Sequence, residues 1–538
     1  MYEWNFGDIL DGLAGVLPPL HPALIHGDRV ITQAEFTSRT NNLALNLLSR
    51  GAGFGDKVAL YMHNCPEYTE TMAACFKGRL THVNVNYRYT PEEVHYIFDN
   101  SDATVVVFGA EFRRHIEAIR SRLNKVRLFV EIGEGADWAT PYDSLVGSGD
   151  GAPLGIRRSG QDMLFLYTGG TTGMPKGVMW AHDDLRQVNM MAARAAGLPV
   201  PEDLDQLIAA ARIQGPGPAS VIGPPLMHGT GLFTAFGAIL SGGSVITLPG
   251  SRYDPVEMAA AISRWRAANV TIVGDPFARP LAEALDADPE RFDVTCVERM
   301  TSSGVMWSVE VKRALLRHMP KAVLIDAFSS SEALGMGSSM MTAAGEAPTA
   351  RFMVGERARV FDEQDRPVVP GSGERGIVAV GPPNPVGYYK DDEKTARTFR
   401  VIEGVRYSIP GDWCLVEADG AISLLGRGNA CINTAGEKVF PEEVEEALKT
   451  HADVEDALVI GLPDPKWGQS VTGVVRLRPG RSLEEAALIS HVRASLAPYK
   501  SPKRIVAGEV NLRAPNGKAD YKSALEFAVA ALMSAQEI

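Results

Sequence analysis

The sequence has few cysteines, no excess of basic residues and no long apolar run. Its five cysteines include no pair separated by two residues, which argues against a zinc framework or a disulfide scaffold and favours a reducing compartment. With 53 basic and 65 acidic side chains the net charge is −12, so non-specific nucleic-acid binding is not expected. No stretch reaches the roughly 18 to 20 apolar residues of a membrane helix, and the first residues lack the basic cluster of a signal peptide. These features predict a soluble, cytoplasmic protein.

The chain of 538 residues is long enough for about three or four folding units. Helical segments such as PEEVHYIF alternate with apolar runs such as ATVVVF, which is typical of an α/β fold with a parallel sheet buried on both faces. The Pro- and Gly-rich stretch at 198–220 predicts a surface insertion. We predict an N-terminal domain of stacked α/β subdomains over 1–426, β-rich from about 355, a hinge at 427–430 and a small α+β C-terminal domain over 431–538.

The stretch YTGGTTGMPKG at 167–177 contains four glycines, three threonines and one lysine directly after the apolar run MLFL. Such a loop can wrap backbone N–H groups and hydroxyls around phosphate oxygens, which predicts a nucleotide polyphosphate as ligand. It is not a Walker A loop, because Pro175 replaces the second glycine and Gly177 replaces the Ser or Thr after the lysine. Taken alone, this composition is also consistent with an ordinary surface loop.

At this loop the sequence resembles the adenylate-forming superfamily, which includes acyl-CoA synthetases, firefly luciferase and the adenylation domains of peptide synthetases. Other stretches resemble further motifs of the family, in the family's order, over nearly the whole chain. The resemblance implies ATP-dependent activation of a carboxylate and a mobile C-terminal domain. It also implies that the loop residues bind the phosphates and that the first of them lies near Mg²⁺; these are Thr168, Gly169, Gly170, Thr171, Thr172, Gly173 and Lys176.

The text DAFSSSEALG at 326–335 resembles the family's aromatic-Gly-x-Thr-Glu element. The resemblance implies that Phe328 stacks on adenine, that Ser331 binds the α-phosphate and that Glu332 holds Mg²⁺, a hard cation that prefers carboxylate and phosphate oxygens. Just upstream, SSGVMWS at 302–308 resembles the element that lines the adenine and the start of the acyl pocket. The residues that these two elements add to the predicted nucleotide site are Ser303, Gly304 and Ser329.

The later motifs predict the ribose site, the hinge and the catalytic lysine. YSIPGDWCLVEADGAISLLGRG resembles the ribose-binding stretch, where Asp412 accepts hydrogen bonds from both hydroxyls and Arg427 adds a positive charge. Asn429 falls at the hinge position of the family, and Gly436 lies where the pantetheine arm of CoA passes the backbone. LRAPNGKADY resembles the C-terminal lysine motif, so Lys518 is predicted to offset charge in the adenylation transition state.

The text PLMHGTGLF places His228 where the family has a residue that senses the substrate carboxyl group. The resemblance implies that this stretch and its neighbours line the acyl pocket, with the residues His228, Gly229, Gly231, Val305, Met306, Gly335 and Met336. Many glycines suggest room, and Met227, Met306, Met336 and Met340 suggest adaptable apolar walls. No Arg or Lys is present to pair with a second carboxylate. The text CINTAGEKVFPEEVE also resembles bacterial ligases for fatty acids and steroid side chains, so a bulky, mostly apolar monocarboxylate is predicted.

Together these stretches predict an acyl-CoA ligase that forms an acyl adenylate and passes the acyl group to CoA, with ATP, Mg²⁺ and CoA as cofactors and a small carboxylate as partner. One alternative is an adenylation enzyme with another acceptor, as in peptide synthetases or luciferase, although HGTGLFTAF has no acid for a substrate ammonium. The other is a nucleotide-binding protein without catalysis, which would be expected to lack Glu332 or Lys518. The sequence does not decide whether the protein forms a homodimer.

Overall fold

The computed structural model describes residues 4–168, 174–195, 197, 200–345, 350–427, 432–434, 437–464, 468–496, 498–514 and 519–534. The chain divides into two compact units. The first comprises Met1–Thr349, Gly355–Ala358 and Val380–Ser408, and the second comprises Ala350–Val354, Arg359–Ala379 and Ile409–Ile538. The domain boundaries predicted at 426 and 430 remain predictions.

Elements are numbered in chain order. The helices of the first unit are α1 Phe6–Ala14, α2 Gln33–Ser49, α3 Pro66–Lys77, α4 Pro91–Asn100, α5 Arg113–Ile119, α6 Tyr142–Val146, α7 His182–Ala195, α8 Leu204–Gln214, α9 Gly229–Leu240, α10 Pro255–Trp265, α11 Asp275–Ala287, α12 Val309–His318 and α13 Asp392–Thr398. Its strands are β1 Pro22–His26, β2 Arg29–Thr32, β3 Lys57–Tyr61, β4 Thr81–Asn84, β5 Ala103–Gly109, β6 Leu128–Ile132, β7 Thr140–Pro141, β8 Met163–Thr168, β9 Lys176–Ala181, β10 Ser220–Ile222, β11 Val245–Thr247, β12 Asn269–Ile272, β13 Arg299–Ser303, β14 Val323–Phe328, β15 Gly337–Met341, β19 Gly387–Tyr388, β20 Phe399–Ile402 and β21 Val405–Ser408.

The remaining elements have all or most of their residues in the second unit. The strands are β16 Arg351–Val354, β17 Ala358–Phe361, β18 Arg375–Val380, β22 Asp412–Val416, β23 Ile422–Arg427, β24 Ile432–Thr434, β25 Glu437–Val439, β26 Val454–Asp464, β27 Gly468–Leu477 and β28 Arg504–Ala507. The helices are α14 Pro441–Lys449, α15 Glu485–Ser495 and α16 Tyr521–Ser534.

The first unit contains two sheets with mainly parallel strands. One contains the run β2-β1-β11-β10-β12-β13-β14-β15, in which β2 and β15 pair antiparallel with β1 and β14. The other has the order β19-β9-β8-β4-β3-β5-β6-β7, in which the strands from β8 to β7 are parallel. All seven residues of β5 are buried, as the continuous apolar run ATVVVF predicts for a strand covered on both faces. The predicted α/β class is confirmed.

Several helix starts follow from local hydrogen bonding. Thr32 and Thr90 form capping boxes with the glutamates three residues later, which satisfies N–H groups at the starts of α2 and α4. The predicted insertion at 198–220 contains α8, whose N-cap Asp203 accepts a hydrogen bond from the N–H of Gln206 at 2.8 Å. The insertion is therefore partly helical rather than only loop.

The second unit combines antiparallel strands with a small sheet covered by helices. Strands β16, β23, β22 and β18 are neighbours in one sheet, and β25-β24-β27-β26 form another to which β28 adds in parallel. An apolar cluster of the second sheet and of helices α14 and α15 forms its core. The predicted small C-terminal part of helices and strands is confirmed. Among the described residues, no helix combines the length and the apolar composition needed to cross a membrane.

Candidate active site

The parallel strands β10, β12, β13 and β14 end at the same edge of the first sheet. Strands β12 and β13 pair Ile272 with Ser302, and strands β13 and β14 pair Ser303 with Ala327, so the strand ends are neighbours. In open α/β sheets, ligands bind in the crevice at the carboxyl ends of the strands. The segments that leave this edge contain most of the predicted site residues and span 223–231, 303–308 and 328–336.

Two asparagines from the other sheet hold the segment that leads to α9. Asn64, just after β3, donates to the carbonyl of Pro224 at 2.9 Å and accepts from the N–H of Leu226 at 2.7 Å. Asn84, the buried last residue of β4, donates to the carbonyl of Met227 at 2.6 Å. The carboxyl ends of the two sheets therefore meet at this segment.

The predicted phosphate-binding loop starts and ends on the hairpin of β8 and β9. Thr168 and Lys176 are direct partners across this hairpin. Asn84 also accepts from the N–H of Tyr167 at 2.6 Å and donates to its carbonyl at 2.9 Å, which fixes the end of β8 to β4. The ammonium of Lys176 forms an ion pair with Asp391. One asparagine thus links the base of this loop to the segment before α9.

The Ser331–Glu332 stretch is held from three directions. The indole N–H of Trp180 in β9 donates to the carbonyl of Ser331 at 2.9 Å. The phenol of Tyr388 in β19 donates to Oε1 of Glu332 at 2.8 Å, and the hydroxyl of Ser408 in β21 donates to the backbone carbonyl of Glu332 at 2.7 Å. These bonds orient a carboxylate whose oxygens have the chemistry that a hard cation such as Mg²⁺ prefers.

Packing and hydrogen bonds also hold the residues on either side of Ser331 and Glu332. Phe328 ends β14 and is 8% exposed. The hydroxyl of Ser329 accepts from the N–H of Gly335 at 3.0 Å, and Gly335 has a φ of +74°, where any side chain would be strained. Arg357 donates to the carbonyl of Leu334 at 2.6 Å. Ser329 therefore stabilises the turn that follows the predicted Mg²⁺ residue.

A buried ion pair lies behind the predicted adenine site. Asp326, on the same face of β14 as Phe328, is 3.4 Å from the ammonium of Lys312, which lies 5.2 Å from the ring centroid of Trp307. Burial raises the pKa of Asp326 to about 6, and the charge of Lys312 opposes this shift. Lys312 thus connects α12 with strand β14, through Asp326, and with the loop after β13, through Trp307. This strand and this loop flank the predicted adenine site.

His228 is the N-cap of α9, and the two glycines after it differ in their surroundings. A Cβ on Gly231 would be 2.4 Å from the carbonyl oxygen of Pro225, so a side chain there is sterically excluded. A Cβ on Gly229 would meet Leu166 at 3.4 Å, an ordinary contact. Gly231 thus allows α9 to pack closely against the preceding loop.

The apolar residues predicted for the acyl pocket differ in exposure. Val305 and Met306 are partly exposed, next to the carboxyl end of β13. Met227 and Met336 are buried, at 1% and 0% exposure, and the sulfur of Met227 lies near the N–H of Tyr87. Met340, on strand β15, is 63% exposed.

The remaining predicted residues lie in the second unit or outside the described residues. Asp412 is buried in β22, and its backbone is in register with that of Arg427 in β23. The predicted residues outside the described part of the chain are Gly169, Gly170, Thr171, Thr172, Gly173, Asn429, Gly436 and Lys518.

Several positioning residues were not predicted from the sequence, among them Asn64, Asn84, Trp180 and Tyr388. Asn84 had a weak signal, because a polar residue ends the short strand THVN, whose four residues are all buried. The others contact residues 56 to 162 positions away in the sequence, and no local pattern predicts such pairs.

Comparisons with known proteins agree with this architecture. The AMP-binding enzyme family matches residues 16–389, and the AMP-binding enzyme C-terminal domain matches residues 443–518. A medium/long-chain-fatty-acid–CoA/3-oxocholest-4-en-26-oate–CoA ligase of Mycobacterium marinum is 38% identical over 535 residues, which is 97% of this chain and 96% of that protein. A 3-oxocholest-4-en-26-oate–CoA ligase of Rhodococcus rhodochrous is 36% identical, and the match covers 96% of this chain and 95% of that ligase.

Solved structures share the fold. An anthranilate CoA ligase in complex with anthranoyl-AMP has a TM-score of 0.84 at 22% identity and covers 100% of this chain and 99% of its own. ATP-bound MatB from Rhodopseudomonas palustris has a TM-score of 0.81 at 23% identity, and the match covers 97% of this chain and 99% of MatB. The resemblance predicted from the sequence is thus confirmed, and the chain belongs to the AMP-binding enzyme family.

Proposed function

We propose that the protein is an AMP-forming acyl-CoA ligase that acts on bulky, mostly apolar monocarboxylates. The observation that carries this proposal is the similarity, over nearly the full length, to ligases named for medium- and long-chain fatty acids and for a steroid acid. Membership of the family and these names imply the use of ATP and CoA. The meeting of the predicted site segments at one sheet edge supports the same reaction.

The proposed reaction has two steps. An oxygen of the substrate carboxylate attacks the α-phosphorus of ATP, and pyrophosphate leaves. The thiolate of CoA then attacks the carbonyl carbon of the acyl adenylate, and AMP leaves. Both steps depend mainly on positioning and on stabilising charge that develops at one reacting centre. In this scheme Lys518 stabilises the first transition state and His228 contacts the substrate carboxyl group.

The nucleotide contacts follow the predicted motifs. Thr168, Lys176 and the loop between them contact the phosphates, and Phe328 stacks on the adenine. Asp412 binds the ribose hydroxyls, with Arg427 nearby. When bound, Mg²⁺ neutralises phosphate charge, and the Glu332 carboxylate, oriented by Tyr388, is the residue proposed to hold it, with Thr168 nearby.

The proposed organisation of the protein also follows the family. A hinge at Asn429 allows the C-terminal domain to rotate between the two steps, and Gly436 lies beside the pantetheine arm. We propose that the enzyme acts in the cytoplasm. Light scattering tests whether it forms a homodimer.

A substrate series tests the proposal. Acetate, hexanoate, palmitate, a steroid side-chain acid and a dicarboxylate are each incubated with ATP, Mg²⁺ and CoA, and pyrophosphate, AMP and thioester are measured. Because each buried methylene contributes about 0.8 kcal/mol, kcat/KM is expected to rise steeply from acetate to the larger acids.

Two controls separate the competing functions. Omission of CoA reports adenylation alone, and Glu332→Gln reports background turnover. A preference for acetate or the dicarboxylate would contradict the substrate class. Pyrophosphate release without thioester would contradict CoA as acceptor, and no AMP with any acid would contradict catalysis.

A further inference from the structure

Helix α9 has one buried face and one open face. Five of its apolar side chains pack into the core of the first unit: Leu232, Ala235, Phe236, Ala238 and Ile239. The opposite face contains Thr230, Thr234 and Gly237, which follow helical spacing and are partly or fully exposed.

This open face begins at the candidate active site. His228 is the N-cap of the helix, and the hydroxyl oxygen of Thr230 lies 4.0 Å from the position that a Cβ would take on Gly304. Gly304 has a φ of +91° and is exposed at the carboxyl end of β13. The open face of α9 therefore continues from the segment predicted to start the acyl pocket.

Gly237 lies on this face, about 10 Å further along the helix axis than Thr230. No heavy atom of the described residues lies within 4 Å of the position that a Cβ would take on Gly237. Glycine is less favourable than alanine within a helix, so Gly237 lowers the stability of α9. Close packing explains Gly231 in the same helix but does not explain Gly237.

We infer that Gly237 determines the length of the acyl group by leaving room for its distal part, whether an alkyl chain or a ring system. The hydroxyl of Thr234, between the two ends of this face, is bonded to the carbonyl of Thr230 at 2.7 Å, so it does not need a partner from the ligand. The occupant is thus the apolar end of the carboxylate substrate. This inference rests on the proposed ligase function.

The variants Gly237→Leu and Gly237→Ala test this role, with hexanoate and palmitate as substrates. The leucine side chain should lower kcat/KM for palmitate by about tenfold to hundredfold, as overpacking costs indicate. The value for hexanoate should remain within about twofold, since this shorter acid does not reach the position. Ala118→Leu, on the exposed side of α5, is the matched control and should change neither value.

The alanine variant provides a second measurement. Because alanine favours the helix, Gly237→Ala should raise Tm by about 1 to 3 °C while lowering the palmitate-to-hexanoate ratio. An unchanged ratio in both variants, or a change of oligomeric state without a change of ratio, would overturn the role of Gly237. A wild-type enzyme that forms no thioester with any acid would instead overturn the ligase function on which this inference rests.

Discussion

Replacement of Tyr388 by phenylalanine tests whether orientation of Glu332 is needed for adenylation. The phenol donates to Oε1 of Glu332 at 2.8 Å, while the ring is buried and lies 5.1 Å from the ammonium of Lys394. Phenylalanine keeps the ring contacts and removes the hydroxyl. The backbone of Glu332 remains bonded to Ser408, so the change should affect the carboxylate and not the path of the chain.

The expected effect follows from the strength of this bond. A hydrogen bond to a charged group contributes about 1.5 to 3 kcal/mol, which corresponds to about a tenfold to hundredfold loss of kcat/KM for adenylation. The loss should appear in ATP–pyrophosphate exchange and should lessen as the Mg²⁺ concentration rises. Thioester formation from a supplied acyl adenylate should stay close to wild type.

Tyr389→Phe is the matched control. The neighbouring Tyr389 donates to a carboxylate oxygen of Asp102 at 2.7 Å, so the variant loses the same kind of bond away from Glu332. If Tyr388→Phe and Tyr389→Phe behave alike in exchange and in Mg²⁺ dependence, the positioning role of Tyr388 is refuted.

Two further predictions concern charge. Lys518→Ala should lower adenylation about 10²-fold or more but spare thioester formation from acyl adenylate, and an equal loss in both half-reactions would contradict its role. Since the folded pKa of Asp326 is about 6 against an ordinary 3.8, its contribution to stability is present below about pH 4 and is lost as pH rises through 6. Asp326→Asn should therefore flatten the fall of the free energy of unfolding over this window, by up to about 3 kcal/mol, and an unchanged slope in denaturant titrations at several pH values would show that Asp326 does not cause it.

The sequence predicts strands and motifs well where the cause is local. The apolar run of β5 and the capping boxes of α2 and α4 are readable because their stabilising contacts involve near neighbours. The convergence of the site segments is also predictable in outline, because parallel strands bring their carboxyl ends to one edge.

The contacts that hold the site were not predictable in the same way. Asn64 binds a segment 160 residues away, and Tyr388 binds a residue 56 positions earlier, so only the fold brings them together. The roles of the glycines were also ambiguous in the sequence, because only the fold shows which atoms lie next to them. Gly231 was interpreted as pocket space, whereas in the structure the carbonyl of Pro225 occupies the position where its side chain would be.

The two asparagine contacts at the segment before α9 have a consequence for the response to ionic strength. Asn64 and Asn84 are uncharged, so their hydrogen bonds are neither titrated nor screened by salt, unlike the ion pair of Lys176 with Asp391. The position of His228 should therefore be the same in dilute buffer and in concentrated salt. With the proposed role of α9, preference among carboxylates should be independent of salt, while the proposed contact of Lys176 with ATP should make the affinity for ATP vary with it.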